Sequence, residues 1–123
     1  MTILFVGVGG FLGAIARYLL DGWVTRAAGG PFPIGILAIN VSGSFALGVL
    51  YALTAERGVL PDSIRAPVLV GFIGAYTTFS TLTLDTWRLV ENGTPALAMI
   101  NLGGSVLFGM TAVVAGLVIG RAV

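Results

Sequence analysis

The sequence predicts an all-α membrane protein with four transmembrane helices. Of its 123 residues, 57% are hydrophobic and only 9% are charged, whereas a soluble domain contains about 25% charged residues. The apolar residues form four runs, each close to the roughly 20 residues that a helix needs to cross the hydrocarbon core of a bilayer. So few charges cannot cover a water-facing surface. We therefore expect one four-helix domain over residues 1–123, surrounded by lipid.

The composition also excludes several classes of function. The chain contains no histidine and no cysteine, which removes the commonest general base, the commonest metal ligand and any disulfide. Its net charge of +1 argues against a nucleic-acid-binding protein, which needs a basic surface. Most of the five acidic residues lie near the ends of apolar runs. We do not expect an enzyme.

The predicted spans are residues 2–20, 33–54, 67–84 and 95–119, with both termini on one side of the membrane. The first span contains one charged residue, Arg17, and the second and fourth contain none. Each of the later spans starts at or near a proline, namely Pro33, Pro67 and Pro95. Proline fits the first position of a helix because its missing N–H would have no partner there.

The basic residues leave the orientation of the chain undecided. All six are arginines. Three lie at the end with the first and third connections (Arg17, Arg26 and Arg88), and three at the opposite end (Arg57, Arg65 and Arg121). Under the positive-inside rule, this balance indicates either a weakly biased protein of one orientation or insertion both ways as an antiparallel homodimer. Four short spans can hardly enclose a pore alone, which favours the symmetric dimer.

Pairs of small residues four positions apart predict the helix–helix contacts, because they let two backbones approach closely in lipid. These pairs are Gly9 and Gly13, Ser44 and Gly48, Ser105 and Gly109, and Gly116 and Gly120.

The third span is the most unusual part of the sequence. Gly71 and Gly74 precede five hydroxyl side chains within seven residues: Thr77, Thr78, Ser80, Thr81 and Thr83. Glycine weakens a helix, and hydroxyl side chains compete for backbone hydrogen bonds, so we expect this helix to be broken near the bilayer midplane. Lipid cannot satisfy so many polar groups, which therefore face protein, water or an ion.

Polar residues also occur in the other three spans. Asn40 either makes an interhelical hydrogen bond, worth about 0.6 kcal/mol in membranes, or binds a ligand. Asn101 and Ser105 lie one turn apart on one face of the fourth helix. Arg17 either reaches the interface or pairs with a carboxylate, for which Asp21 is the nearest candidate.

The spans carry motifs that resemble those of the Fluc/CrcB fluoride channel family. The first three motifs are Gly9-Gly10-x-x-Gly13-Ala14-x-x-Arg17-Tyr18, then Gly35-x-Leu37-x-x-Asn40-x-x-Gly43-Ser44-Phe45-x-x-Gly48, then Gly71-Phe72-x-Gly74-x-x-Thr77-Thr78-Phe79-Ser80-Thr81. The fourth span is similar mainly at Gly104-Ser105.

This resemblance implies a dual-topology antiparallel dimer with two fluoride pores. The pore residues would be Asn40, Phe79, Ser80, Thr81, Thr83 and Ser105. The backbone carbonyls of Gly74 and Thr77 would hold a structural Na⁺ at the dimer interface, and the family's acidic residue falls on Asp85. Two positions depart from the pattern: Leu82 stands where a second pore phenylalanine is expected, and Ala75 where a second glycine is usual.

The expected function is passive, fluoride-selective conduction across the inner membrane of a prokaryotic cell, which would lower cytoplasmic fluoride. One alternative is a proton-coupled small multidrug exporter. Such exporters depend on a carboxylate inside the first helix, and residues 2–20 contain none. Another alternative is a non-conducting subunit that pairs with a homologue, which Leu82 leaves open.

Overall fold

Four long helical segments, each apolar enough to cross a membrane, make up the computed structural model, which describes residues 1–59 and 61–123. Helix α1 is Thr2–Ala28 and α2 is Ile34–Glu56. The third segment, Asp62–Glu91, contains α3 (residues 62–76) and α4 (Phe79–Glu91), and α5 is Pro95–Ala122. The prediction of an all-α, multi-pass membrane protein is confirmed. Leu60, in the predicted second connection, lies outside the described residues.

The helices extend beyond the predicted apolar spans. Helix α1 continues past Asp21 to Ala28, where Gly29 ends it with a φ of 64°. Helices α4 and α5 likewise continue to Glu91 and Ala122. Charged side chains near a helix end can reach interfacial water while the backbone stays helical. Hydropathy therefore marks the apolar part of each helix and not its end.

The prediction that Pro67 starts a helix is wrong. Helical structure begins at Asp62, and Pro67 lies in a π-helical stretch, Ala66–Ile73. Proline removes one donor from the hydrogen-bond ladder, and a π-helical turn is one of the local distortions with which helices accommodate such a change. By contrast, Pro33 immediately precedes α2 and Pro95 is the first residue of α5, as predicted.

Small residues lie at the closest helix–helix contacts, as predicted. The Cα of Gly9 faces the backbone carbonyl of Pro67, and that of Gly13 faces the carbonyl of Phe72, so α1 packs tightly on α3. On the other side, Gly48 of α2 and Gly116 of α5 lie against each other's helix backbone. Any side chain at these positions would collide with backbone atoms, which do not move easily.

The protomer has a small core and an apolar exterior. Ile36, Ile39 and Leu82 form the buried cluster, with Leu20 and Tyr76 packed against it. Many large apolar side chains on α1 and α5 are exposed. In a membrane protein these side chains face lipid or another subunit, so their exposure agrees with the assignment of transmembrane helices.

The far ends of α2 and α5 are joined by polar contacts. The Arg121 guanidinium donates two hydrogen bonds to the Glu56 carboxylate, at 2.7 and 2.8 Å. Arg57 donates to the backbone carbonyl of Gly120 at 3.3 Å. Two parallel N–H···O bonds to one carboxylate are geometrically specific. They fix the last turns of α2 and α5 side by side.

Candidate functional site

The helix stops and restarts within the third segment. Helix α3 ends at Tyr76, and Thr77 and Thr78 are extended, with φ and ψ of −82° and 159° and of −151° and 123°. Helix α4 begins at Phe79. The Thr78 hydroxyl accepts a hydrogen bond from the Thr81 amide at 3.3 Å, which caps the new helix. Two extended residues thus separate two helices inside one apolar segment.

Asn40 of α2 holds this extended segment in place. Its Nδ2 donates to the Thr78 carbonyl, and its Oδ1 accepts from the Thr78 amide, both at 2.9 Å. A side-chain amide has two N–H groups, so one N–H of Asn40 is not used in this pair. The interhelical hydrogen bond expected of Asn40 is therefore present, and within residues 1–59 and 61–123 its second N–H has no recorded acceptor.

The extended segment also leaves backbone carbonyls at the end of α3 without helical donors, and those of Gly74 and Thr77 are among them. In a continuous helix the Thr78 amide would bond to Gly74, but it donates to Asn40 instead. The Thr81 amide would bond to Thr77, but it donates to the Thr78 hydroxyl. The carbonyls of Gly74 and Thr77 therefore lose their helical donors. Arg17 Nη1 lies 3.5 Å from the Thr77 oxygen.

Gly43 allows the extended segment to approach α2 so closely. A Cβ at this position would collide with Cγ2 of Thr77 and would contact the Tyr76 ring at 3.1 Å. Gly43 follows Asn40 by one turn. The glycine therefore makes room for the chain that the asparagine binds.

A groove of about 280 Å³ lies beside this segment, between α2, α4 and α5. Three of the predicted pore residues, Asn40, Phe79 and Ser105, line it together. Phe79 is 75% exposed, whereas Ser105 is 6% exposed and its hydroxyl has no hydrogen-bond partner in residues 1–59 and 61–123. A buried hydroxyl of this kind normally has a partner. The groove therefore combines an unpaired buried hydroxyl, a free amide N–H and an exposed aromatic ring.

The other three predicted pore residues lie outside this groove. Ser80 and Thr83 are exposed, and the Thr83 hydroxyl donates to the Ser80 carbonyl at 2.9 Å. Thr81 is half-buried, and its hydroxyl lies 3.1 Å from that of Thr78. Thr78 Oγ1 is also 3.3 Å from Ser80 Oγ. The hydroxyls thus form a row that starts at the extended segment and follows the outer side of α4.

Leu82, which stands where the family pattern has a second pore phenylalanine, belongs to the core of the protomer. Leu82 is 5% exposed, packs with Ile36 and Ile39, and forms part of the groove wall. It is one turn away from Phe79 on α4. A larger side chain here would have to fit into the groove or displace the core.

Sequence reasoning gave no role to a buried polar pair that the structure brings together. Asn101 is 1% exposed, and its Nδ2 donates to the Thr86 hydroxyl at 2.9 Å. Thr86 donates in turn to the Leu82 carbonyl at 2.7 Å. Asn101 Oδ1 has no partner within the described parts of the chain. The position of Asn101 and Ser105 on one face of the fourth helix indicated a polar contact there. Thr86 lies beyond the predicted third span, residues 67–84, so its pairing with Asn101 was not predicted.

The ion pairs differ from the expectation for Arg17. In the part of the chain that the structure describes, Arg88 pairs with Asp85 at 3.8 Å and Arg121 pairs with Glu56. Asp21 accepts a hydrogen bond from the Thr25 hydroxyl and is not paired with Arg17. The suggested Arg17–Asp21 pair is therefore wrong. The reason is that Arg17 is directed toward the Thr77 carbonyl, which the helix interruption has released.

Comparison with known proteins places this arrangement in a family. A protein of Magnetococcus marinus named fluoride-specific ion channel FluC is 44% identical over 98% of each chain. FluC 2 of Symbiobacterium thermophilum is 46% identical over 90% of each chain, and FluC of Hahella chejuensis is 39% identical over 97% of this chain and 94% of its own. Residues 4–117 match the family described as CrcB-like protein, Camphor Resistance (CrcB). This chain belongs to the CrcB family.

Proposed function

We propose that this protein is a passive, fluoride-selective channel of the prokaryotic inner membrane and not an enzyme. The observation that carries the proposal is the groove in which Asn40, Phe79 and Ser105 meet beside a helix interruption. Its relatives' names supply the ion, because those proteins are called fluoride-specific channels. Conduction out of the cell would lower cytoplasmic fluoride and make the cell resistant to it.

The groove offers the chemistry that a small, strongly hydrated anion requires. An anion that loses its water needs close donors in exchange, and the free N–H of Asn40 and the hydroxyl of Ser105 are such donors. The positive edge of the Phe79 ring is a third. The residues that line the groove are uncharged. Conduction needs sites weak enough for the ion to leave, which a fixed arginine would not provide.

The hydroxyl row is proposed to continue the pathway. Ser80, Thr81 and Thr83 follow the groove along α4, and two of them are exposed on the protomer surface. Hydroxyls at this depth would be poorly solvated by lipid. We therefore assign Ser80, Thr81 and Thr83, with Asn40, Phe79 and Ser105, to the fluoride pathway.

The working unit is proposed to be an antiparallel homodimer with two pores. The three-to-three arginine distribution supports insertion in both orientations. The exposed Phe79 ring and the outward hydroxyls of Ser80 and Thr83 provide a surface that a second copy would cover. A two-fold arrangement gives each protomer the same contacts and closes the assembly.

A structural Na⁺ is proposed between the two protomers. The released carbonyls of Gly74 and Thr77 are neutral oxygen ligands, the type that hard cations prefer, and two chains would supply four of them. Arg17 makes only a long hydrogen bond of 3.5 Å to the Thr77 oxygen, which has a second lone pair. A cation held here would attract anions toward the interface.

A second candidate is a non-conducting subunit that pairs with a homologue, and the observation in its favour is Leu82. A leucine cannot present the positive ring edge of phenylalanine, and here it is buried in the protomer core. Against this candidate, Asn40, Phe79 and Ser105 are all present in the groove. The small multidrug exporter has no comparable support, since the only charged residue in residues 2–20 is Arg17.

The test is ion efflux from liposomes that contain the purified protein alone. With a fluoride gradient and a potassium ionophore to balance charge, we expect rapid fluoride release and no chloride release under the same gradient. Expression in a fluoride-sensitive bacterium should restore growth in fluoride. A well-folded dimer that releases no fluoride, but does so when a homologue is co-expressed, would establish the subunit role instead.

A further inference from the structure

A second side-chain contact joins α2 to the end of α3. The hydroxyls of Ser42 and Tyr76 lie 2.8 Å apart, and Ser42 Oγ also lies 3.1 Å from the Ile39 carbonyl as its donor. A serine hydroxyl has one hydrogen. Both contacts are satisfied at once when Ser42 donates to Ile39 and the Tyr76 hydroxyl donates to Ser42. In that arrangement the two hydroxyls connect the end of α3 to the backbone of α2.

This contact lies on the other side of the extended segment from the groove. Ser42 and Tyr76 border a separate depression of about 440 Å³ whose other lining residues, such as Leu20, Ala46 and Phe72, are apolar. Neither hydroxyl lines the groove that contains Asn40. Ser42 is exposed on the protomer surface among these apolar side chains, and the hydrogen bonds to Tyr76 and Ile39 satisfy both hydroxyls there. The pair therefore joins α2 to the end of α3 and is not part of the groove.

The two contacts bracket Thr77. Asn40 binds the backbone of Thr78, and Ser42 binds the side chain of Tyr76, so α2 holds the residues on both sides of Thr77. The Tyr76 ring is itself held by stacking on Phe72, with centroids 6.1 Å apart and an interplanar angle of 8°. The direction of the Thr77 carbonyl is consequently fixed at both ends.

We propose that Ser42 and Tyr76 are positioning residues that set the geometry of the extended segment, and through it the Asn40 amide and the Thr77 carbonyl. The amide and hydroxyl of Thr77 also donate to the Ile73 carbonyl, both at 3.0 Å, so Thr77 stays attached to the end of α3. The Ser42–Tyr76 contact in turn fixes the end of α3 against α2. The inference rests on the proposed function for its transport readout. Its structural readout does not depend on that function.

The test compares substitutions that differ only in a hydroxyl group. Ser42→Thr and Ser42→Val have nearly the same shape, and Tyr76→Phe keeps the ring that stacks on Phe72. The matched control is Tyr18→Phe, which changes an exposed tyrosine on α1. Two quantities are measured on each purified dimer: hydrogen exchange of the backbone amides of residues 77–79, and fluoride efflux from liposomes.

Ser42→Val and Tyr76→Phe should each speed exchange of these amides about fivefold, the factor for one hydrogen bond, and should slow fluoride efflux several-fold. Ser42→Thr and Tyr18→Phe should resemble the unmodified protein in both measurements. The double variant Ser42→Val with Tyr76→Phe should be no worse than either single one, because both remove the same bond.

Equal behaviour of Ser42→Val and Ser42→Thr, or multiplied effects in the double variant, would overturn the proposal. So would faster exchange with unchanged efflux, because the segment would then move without consequence for transport. If the unmodified protein releases no fluoride, the proposed function fails, while the exchange rates still decide whether the pair fixes the segment.

Discussion

At the scale of single residues, Asn40 has a structural and a proposed chemical role. It pairs with both backbone groups of Thr78 and keeps one N–H free beside Phe79 and Ser105. Substitution therefore affects the helix interruption and the groove together. We therefore expect a change at Asn40 to have a larger effect than the loss of its interhelical bond alone.

Asn40→Asp should abolish fluoride efflux and destabilise the protein by about 2–3 kcal/mol, because a carboxylate oxygen would face the Thr78 carbonyl and a negative charge would repel the anion. The matched control is Asn92→Asp, which makes the same change in an exposed connection. Efflux and thermal unfolding of both variants give the comparison. Normal efflux from Asn40→Asp would remove this residue from the pathway.

Leu82→Phe should destabilise the protein by about 1–3 kcal/mol, because the residue is buried against Ile36 and Ile39 and a larger ring overpacks the core. Conduction by the unmodified homodimer should not require this change. Leu84→Phe, at an exposed position of the same helix, is the control. If only Leu82→Phe conducts fluoride, then the natural chain needs a partner that supplies the second ring.

At the scale of secondary-structure elements, the interruption between α3 and α4 depends on the neighbouring helix. Gly43→Ala should destabilise the protein by about 1–3 kcal/mol and reduce efflux, since the added Cβ meets the Thr77 side chain. Gly103→Ala places the same methyl group in open space on α5 and should be neutral or slightly stabilising. Equal stability of the two variants would contradict the close approach that the structure describes.

The interruption between α3 and α4 also shows what sequence patterns do not specify. Glycine and hydroxyl residues predicted weakness in the third helix, but they do not specify which carbonyls are released. The structure supplies this detail: Asn40 and the Thr78 hydroxyl accept from the amides of Thr78 and Thr81, which leaves the carbonyls of Gly74 and Thr77 without those donors. Likewise, a proline is compatible with a helix start, and only the structure shows that helical residues precede Pro67, beginning at Asp62.

At the scale of the whole molecule, orientation is expected to be mixed. Reporters fused to the C-terminus, active on one or the other side of the membrane, should both give signal because the arginines are balanced. Adding two or three lysines to the connection at residues 55–66 should shift the population toward one orientation. A single orientation of the unmodified chain would contradict the antiparallel homodimer.

The proposed Na⁺ would stabilise the whole dimer, because it would lie between the two protomers. Purification with a large organic cation in place of Na⁺ should lower the thermal stability of the dimer and slow fluoride efflux, because the carbonyls of Gly74 and Thr77 would lose their ligand. Restoring Na⁺ should reverse both changes. Choline and N-methylglucamine should behave alike, since neither fits between backbone carbonyls. Stability that is independent of the cation would count against the site.

The sequence by itself determined the membrane class, the four spans and the family motifs, because hydropathy, small-residue spacing and composition act locally along the chain. The resemblance of these motifs to the family made Asn40, Phe79 and Ser105 candidates, and the structure brings these three into one groove. Only the tertiary structure decided that Asn40 binds Thr78, that Leu82 is core and that Ser42 meets Tyr76. These contacts join residues 34 to 46 positions apart, and no local pattern encodes which distant side chains the packing of helices brings together.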